Sequence, residues 1–246
     1  MKSRAFISIA AVIFPPTSAL SAQPPVPGQS AEHATVQARF MMDYLVSLPA
    51  GFDEADNAAA TWPLLLFLHG MGERGTDLDK VRRIGLPRLI EQGMTLPFVV
   101  LSPLCPDDEW WNLAALEALI EDACTRYRID RDRVYLTGLS MGGFGVWALA
   151  ARHPERYAAI MPICGGGATK WATRLRDLPI WAFHGAKDNV VPLTRVQPLL
   201  DEITSAGGSP RLTIYPEAGH DSWTETYVNN DVYRWLLSHR RPHGRP

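Results

Sequence analysis

The sequence predicts a single three-layer α/β domain, a mostly parallel sheet with helices on both faces. Three observations carry that expectation. Short apolar runs of strand length recur along the chain, helical patterns of about 10–15 residues separate them, and no internal repeat or second linker interrupts the body. The length of 246 residues, with 46% hydrophobic and 20% charged residues, is globular composition with enough material for one sizeable core. Lys+Arg 24 against Asp+Glu 26 leaves a formal charge of -2, so no basic excess recommends a nucleic acid partner. Three cysteines are too few for a disulfide scaffold.

The elements follow in order. Residues 1–22 read as a secretory signal peptide. Lys2 and Arg4 precede the apolar run 5–14 (AFISIAAVIF), Pro15 and Pro16 break it, and 17–22 (TSALSA) is small and mostly polar. The run is far shorter than the ~20 residues of a membrane span. No stable membrane insertion is therefore expected once the segment is cut, after Ala22 or after Ser21, and the destination is secreted or periplasmic. Residues 23–35 form a flexible Pro-rich lead-in, residues 36–240 the domain, and residues 241–246 a disordered tail. Strands are expected at 40–48 (FMMDYLVSL), 62–68 (WPLLLFL), 98–104 (FVVLSPL), 134–137 (VYLT), 158–163 (AAIMPI), 180–183 (IWAF) and 212–215 (LTIY). Most are continuously apolar, as strands buried on both faces must be. Helices are expected at 78–92, 112–127, 141–152, 194–205 and 225–238.

The chemistry sits where strands end. The run 134–137 leads into Gly138-Leu139-Ser140-Met141-Gly142, with a helix opening directly after it. This is G-x-S-x-G in a strand–turn–helix setting, where the glycines relieve crowding and the serine is lifted above the carboxyl end of the sheet. A serine hydroxyl needs a base, and the base needs an orienting acid. In this arrangement the acid and then the histidine follow in chain order, each after a strand. Asp188 follows 180–183 and His220 follows 212–215. Asp177 precedes its strand, Asp201 lies inside a helix, and Asp221 points away beside His220. His69 and His184 close earlier strands as loop braces, while His33, His153, His239 and His243 are peripheral. Donors for an oxyanion come from Met141, after the nucleophile, and from the Gly-rich turn His69–Gly75. Within that turn Met71 is favoured over Gly70. No G-K-[ST] follows the turn and the histidines lack metal-ligand spacing, so neither a cofactor nor a metal is implied.

LLLFLHGMGERG, RVYLTGLSMGGFG, PICGGG, IWAFHGAKDNVVP and PEAGHDSW together resemble the α/β-hydrolase superfamily. More narrowly they resemble its secreted esterase and predicted-peptidase group, related to phospholipase/carboxylesterases. The resemblance runs from about residue 44 to residue 237. It implies an α/β-hydrolase fold with a sheet of about eight strands, Ser140 as nucleophile, Asp188 as acid and His220 as base. In the usual strand order, Cys105 and Cys164 follow strands roughly 14 Å apart, which disfavours a bridge between them. Cys105–Cys124 stays open beside the simpler reading of buried free thiols.

The expected activity is serine hydrolysis of carboxylic esters through an acyl-enzyme. A peptidase using the same triad is the alternative, and a non-catalytic hydrolase-like binding protein a remote one. Trp111 and Trp223 are the expected pocket side chains. Only 14 residues, 165–178, lie where many relatives insert a helical cap; they suffice for a loop and one short helix near 170–176. The stretch 71–86 is polar and poor material for an apolar lid. An open, shallow site without a cap domain is therefore expected, taking short-acyl or aryl-acyl esters on small or polymer-linked alcohols.

Overall fold

The structure, a computed structural model, describes residues 40–241. The signal peptide and nearly all of the lead-in and tail expected from the sequence lie outside these residues. Strand β2 (Trp62–Leu68) explains the architecture: every residue from Pro63 to Leu68 is buried. Successive side chains point to opposite faces, so Leu64, Leu66 and Leu68 enter one core cluster while Leu65 and Phe67 enter another. A strand apolar on both faces needs helices on both.

The described strands are β1 (Tyr44–Ser47), β2, β3 (Val99–Pro103), β4 (Ile129–Leu139), β5 (Ala159–Ile163), β6 (Trp181–Gly185) and β7 (Arg211–Tyr215). They lie in the order β1-β3-β2-β4-β5-β6-β7. Only β1 runs antiparallel, Tyr44 opposite Pro103; all other pairings are parallel. Helices α1 (Leu78–Arg82) and α2 (Gly85–Glu91) cover one face. On that face they are joined by α7 (Trp223–Val228) and α8 (Asn230–Leu237). Helices α3 (Leu113–Arg126), α4 (Met141–Arg152), α5 (Ala172–Leu175) and α6 (Gln197–Ser205) cover the other. The three-layer α/β-hydrolase fold is thereby established.

Three expectations need correction in detail. The sheet has seven strands among the described residues, not about eight. After β1 the chain turns at Gly51 and into a 3-10 turn, Ala55–Asn57, so it enters β2 without adding an antiparallel edge strand. The helix expected over 78–92 is two helices, because Gly85 adopts a left-handed φ of 52° where the chain turns against Phe67 and Leu139. The helix expected over 225–238 is also two. Asn229 is extended at φ −83° and ψ 110°, and its side chain caps α8 by accepting from Asp231 N at 2.9 Å.

Between β5 and β6 the chain makes only a 3-10 turn, Thr169–Trp171, and the four-residue α5. This stretch holds no cap domain. All three cysteines are free, and β2 and β4 separate the strands that precede Cys105 and Cys164.

Candidate active site

The strand–helix junction between β4 and α4 sets the geometry. Ser140 is held at φ 55° and ψ −119°, a region L-residues rarely occupy. Its N–H donates to Ile163 O at 3.1 Å and also faces Cys164 Sγ at 3.2 Å. Crowding dictates the two flanking glycines. A Cβ at Gly142 would sit 1.9 Å from Leu68 O, and one at Gly138 would sit 2.7 Å from that same oxygen. Helix α4 can start directly after Ser140 only because these positions carry no side chain.

The loops after β6 and β7 supply the partners. Asp188 is almost wholly buried. Its Oδ1 accepts from Val190 N at 3.0 Å and Val191 N at 2.9 Å, which fixes the carboxylate. Its Oδ2 lies 2.8 Å from His220 Nδ1, and His220 Nε2 lies 2.9 Å from Ser140 Oγ. Acceptor Asp188 makes Nδ1 the protonated nitrogen, leaving Nε2 to accept from the serine hydroxyl. Sequence separations of 48 and 32 residues thus close into one hydrogen-bonded line. The rival acids are engaged elsewhere: Asp177 beside Arg176, Asp201 with Gln197 Nε2, and Asp221 with Thr224 N. His184 braces the acid loop, as expected, through Nε2 and Val191 O at 2.7 Å.

Met141 and Met71 both open helical turns, so no carbonyl of the same turn can accept their N–H groups. The Met71 turn lies beside the serine: a Cβ on Gly70 would stand 3.6 Å from Ser140 Cβ. His69 holds this turn in place. Its Nδ1 donates to Gly70 O at 2.6 Å, its Nε2 accepts from Cys105 N at 3.0 Å, and its ring meets the Trp111 indole edge-on at 4.7 Å. Burial pushes the His69 pKa down to about 4, with Arg74 adding to the fall and the Gly70 carbonyl opposing it. Glu73 Oε2 lies 4.0 Å away, but burial pushes its own carboxyl up. We conclude that desolvation outweighs the carboxylate here, and His69 is a neutral brace.

A cleft of about 710 Å³ opens along α4 from Phe144, one helical turn beyond Ser140. Trp110, Trp111, Phe144 and Trp171 line it, with Lys170 and Arg195 at its rim. Trp110 is 59% exposed and stands edge-on to Phe144 at 6.3 Å. Of the two tryptophans singled out from the sequence, Trp111 is mostly core and reaches the cleft only in part. Trp223 lies instead against the His220 ring, centroids 5.6 Å apart. Sequence reasoning missed Phe144 and Trp171. Phe144 carried a usable signal, four residues after Ser140 on the same helix; Trp171 carried none.

The dienelactone hydrolase family model matches residues 109–231, half of the chain. A bifunctional acetylxylan esterase/xylanase of Neocallimastix patriciarum is 26% identical over 195 residues, covering 73% of this chain and 26% of that protein. A probable feruloyl esterase C of Aspergillus terreus is 23% identical over 156 residues, 61% of this chain and 56% of that one. The chain therefore spans about a quarter of the first relative and little over half of the second. Among solved structures, a thermostable esterase superposes with a TM-score of 0.70 at 32% identity, covering 81% of this chain and 60% of that chain.

Proposed function

Because the chain belongs to the dienelactone hydrolase family, we propose that it is a serine carboxylesterase with Ser140 as nucleophile, His220 as base and Asp188 as the acid that orients it. The observation that carries this reading is the line Ser140 Oγ–His220 Nε2 at 2.9 Å and His220 Nδ1–Asp188 Oδ2 at 2.8 Å. His220 takes the serine proton as Oγ attacks the ester carbonyl, and Asp188 stabilises the imidazolium that forms. The N–H groups of Met141 and Met71 receive the developing oxyanion. The alcohol leaves with the proton from His220, and water, activated by the same nitrogen, hydrolyses the acyl-enzyme. Cys164 is no rival nucleophile: burial pushes its thiol up to about 12, so it stays protonated.

The substrate reading is a short-acyl or aryl-acyl ester with an exposed alcohol. Its support is the aromatic cleft that begins at Phe144, one helical turn along α4 from Ser140, the absence of a cap between β5 and β6, and relatives named for acetylxylan and feruloyl ester cleavage. Secretion or periplasmic export through residues 1–22 belongs to the same proposal, and a mature protein beginning near Ala22 or Gln23 is its expected outcome. A fluorophosphonate probe tests the central claim by labelling Ser140. No label on the folded protein would favour a binding module. Matched aryl esters and amides test the reaction class, and faster amide turnover would make the enzyme a peptidase. Activity should show no jump at a lipid surface, since no lid opens.

A further inference from the structure

Two connections carry separate parts of the proposed site, and one side chain spans them. The first is the 3-10 turn Met71–Glu73 after β2, which presents the Met71 N–H. The second runs from β3 to α3; its residues 106–110 are exposed and end in Trp110 of the cleft wall. Neither is held firmly by its own backbone. The turn closes on Arg74 N, which donates to Met71 O at 3.5 Å, the long limit for a hydrogen bond. In the second connection Asp108 is held at φ 57° although it is not glycine. Its backbone bond to the first sits at its base, where Gly75 N donates to Cys105 O at 3.0 Å.

The half-buried Arg74 side chain joins their tips. Its Nε donates to Met71 O at 3.3 Å and its Nη1 donates to Glu109 O at 3.1 Å, one residue before Trp110. Both bonds go to main-chain carbonyls, so they fix backbone position. The Cys105 thiol also donates to Glu109 O, with Sγ at 3.6 Å, but a thiol is a weak donor. Lys80 Nζ donates to Arg74 O at 3.0 Å and steadies the backbone from which the guanidinium reaches. A guanidinium is planar and its donors keep fixed angles. The two carbonyls it binds are therefore held at one spacing.

We propose that Arg74 is a positioning residue, a clamp that ties the Met71 donor turn to the Trp110 wall of the cleft. It acts through those two residues rather than on the substrate. Loss of the guanidinium leaves the turn on its 3.5 Å bond alone and leaves Glu109 O to the thiol. The first loss misplaces the Met71 N–H, which costs turnover of every ester. The second frees Trp110, which costs binding of aryl-acyl esters alone.

The clamp rests on the esterase reading and its Met71 donor, and the test separates them. Arg74→Met, Arg74→Lys, Trp110→Ala and Met71→Pro are compared on an acetyl and an aryl-acyl ester of one alcohol. Arg74→Met is also combined with each of the last two. Rates are taken per active site titrated with the fluorophosphonate, so unfolded protein does not count. Arg74→Met should lower kcat about fivefold to tenfold on both esters, less than the ~100-fold of a deleted donor. It should raise KM about threefold for the aryl-acyl ester and leave the acetyl KM within about twofold. Added to Met71→Pro it should cost no further kcat, and added to Trp110→Ala no further aryl KM, because each partner is already gone. Arg74→Lys keeps the charge without the fork and should stay within about twofold of Arg74→Met. Wild-type constants in Arg74→Met, or losses that multiply in the double variants, would overturn the clamp. A loss confined to kcat or to aryl KM would overturn it as well, since one fork must serve both. So would full recovery in Arg74→Lys, which would make the charge the active feature. If Arg74→Met does not fold, Arg74→Lys carries the test in the same combinations, and wild-type constants there overturn it equally. Wild-type protein that never labels at Ser140 would instead overturn the esterase reading.

Discussion

Two loops at the same end of the sheet each carry a histidine, and the two side chains are put to opposite use. His69 follows β2 directly, is 0% exposed, and spends both ring nitrogens on backbone groups of Gly70 and Cys105. His220 lies five residues beyond β7, has a side chain 19% exposed, and spends its nitrogens on a carboxylate and a hydroxyl. Desolvation without a committed anion holds the first ring neutral and static. A buried carboxylate on one side, and solvent access with the Ser140 hydroxyl on the other, fit the second to the role of base proposed for it. The difference teaches that partners and water, not residue type or distance along a strand, separate a brace from a base.

The comparison breaks most visibly at the base. His220→Ala should lower kcat by about 10⁴-fold or more, and adding Ser140→Ala should cost nothing further, because the two act together. Multiplying losses would mean that one residue is misassigned. Asp188→Asn should cost a similar ~10⁴-fold through the wrong imidazole tautomer, with little change in thermal midpoint.

The brace is tested on the donor it holds. Met71→Pro deletes one N–H at a helical first position, where the preceding Gly70 is already extended at φ −80° and ψ −174°. The expected loss is about 100-fold in kcat with KM nearly unchanged; an unaffected kcat would return the donor to Gly70 or another group.

A smaller effect concerns stability. His69 titrates near 6.5 when unfolded but only at about 4 when folded. The unfolded chain therefore binds the proton first, and stability falls as pH drops below about 6.5, levelling below about 4. The shift corresponds to about 3 kcal/mol across that window. His69→Gln keeps one donor and one acceptor and should flatten this part of the acid limb. Urea midpoints measured from pH 7 to pH 4 provide the comparison, and parallel curves would show that His69 does not titrate as described.

The smallest expected effect lies in the cleft. Trp110→Ala should raise KM for aryl-acyl esters about threefold to tenfold and leave acetyl esters unchanged, from one lost aromatic contact. Equal changes for both substrates would move the acyl group out of the cleft.

Local spacing and strand order made a large part of this protein legible. Ser140 was marked by glycines at 138 and 142, and a Cβ at either would strike Leu68 O. Asp188 and His220 were marked because parallel strands deliver their following loops to one end of the sheet, whatever the separation along the chain. The alternating burial of Leu64 to Leu68 likewise followed from an apolar run too short for anything but a central strand. Tertiary structure decided the rest. The positive φ at Gly85 and the cap at Asn229 cut two expected helices, because turning against the sheet outweighed continuing an apolar period. The cleft joins Phe144 of α4 with Trp110 and Trp171 from two separate connections. A motif records what one short stretch of backbone must do. Which loops meet depends on how two helix layers close over seven strands, and no single stretch of the chain contains that distance.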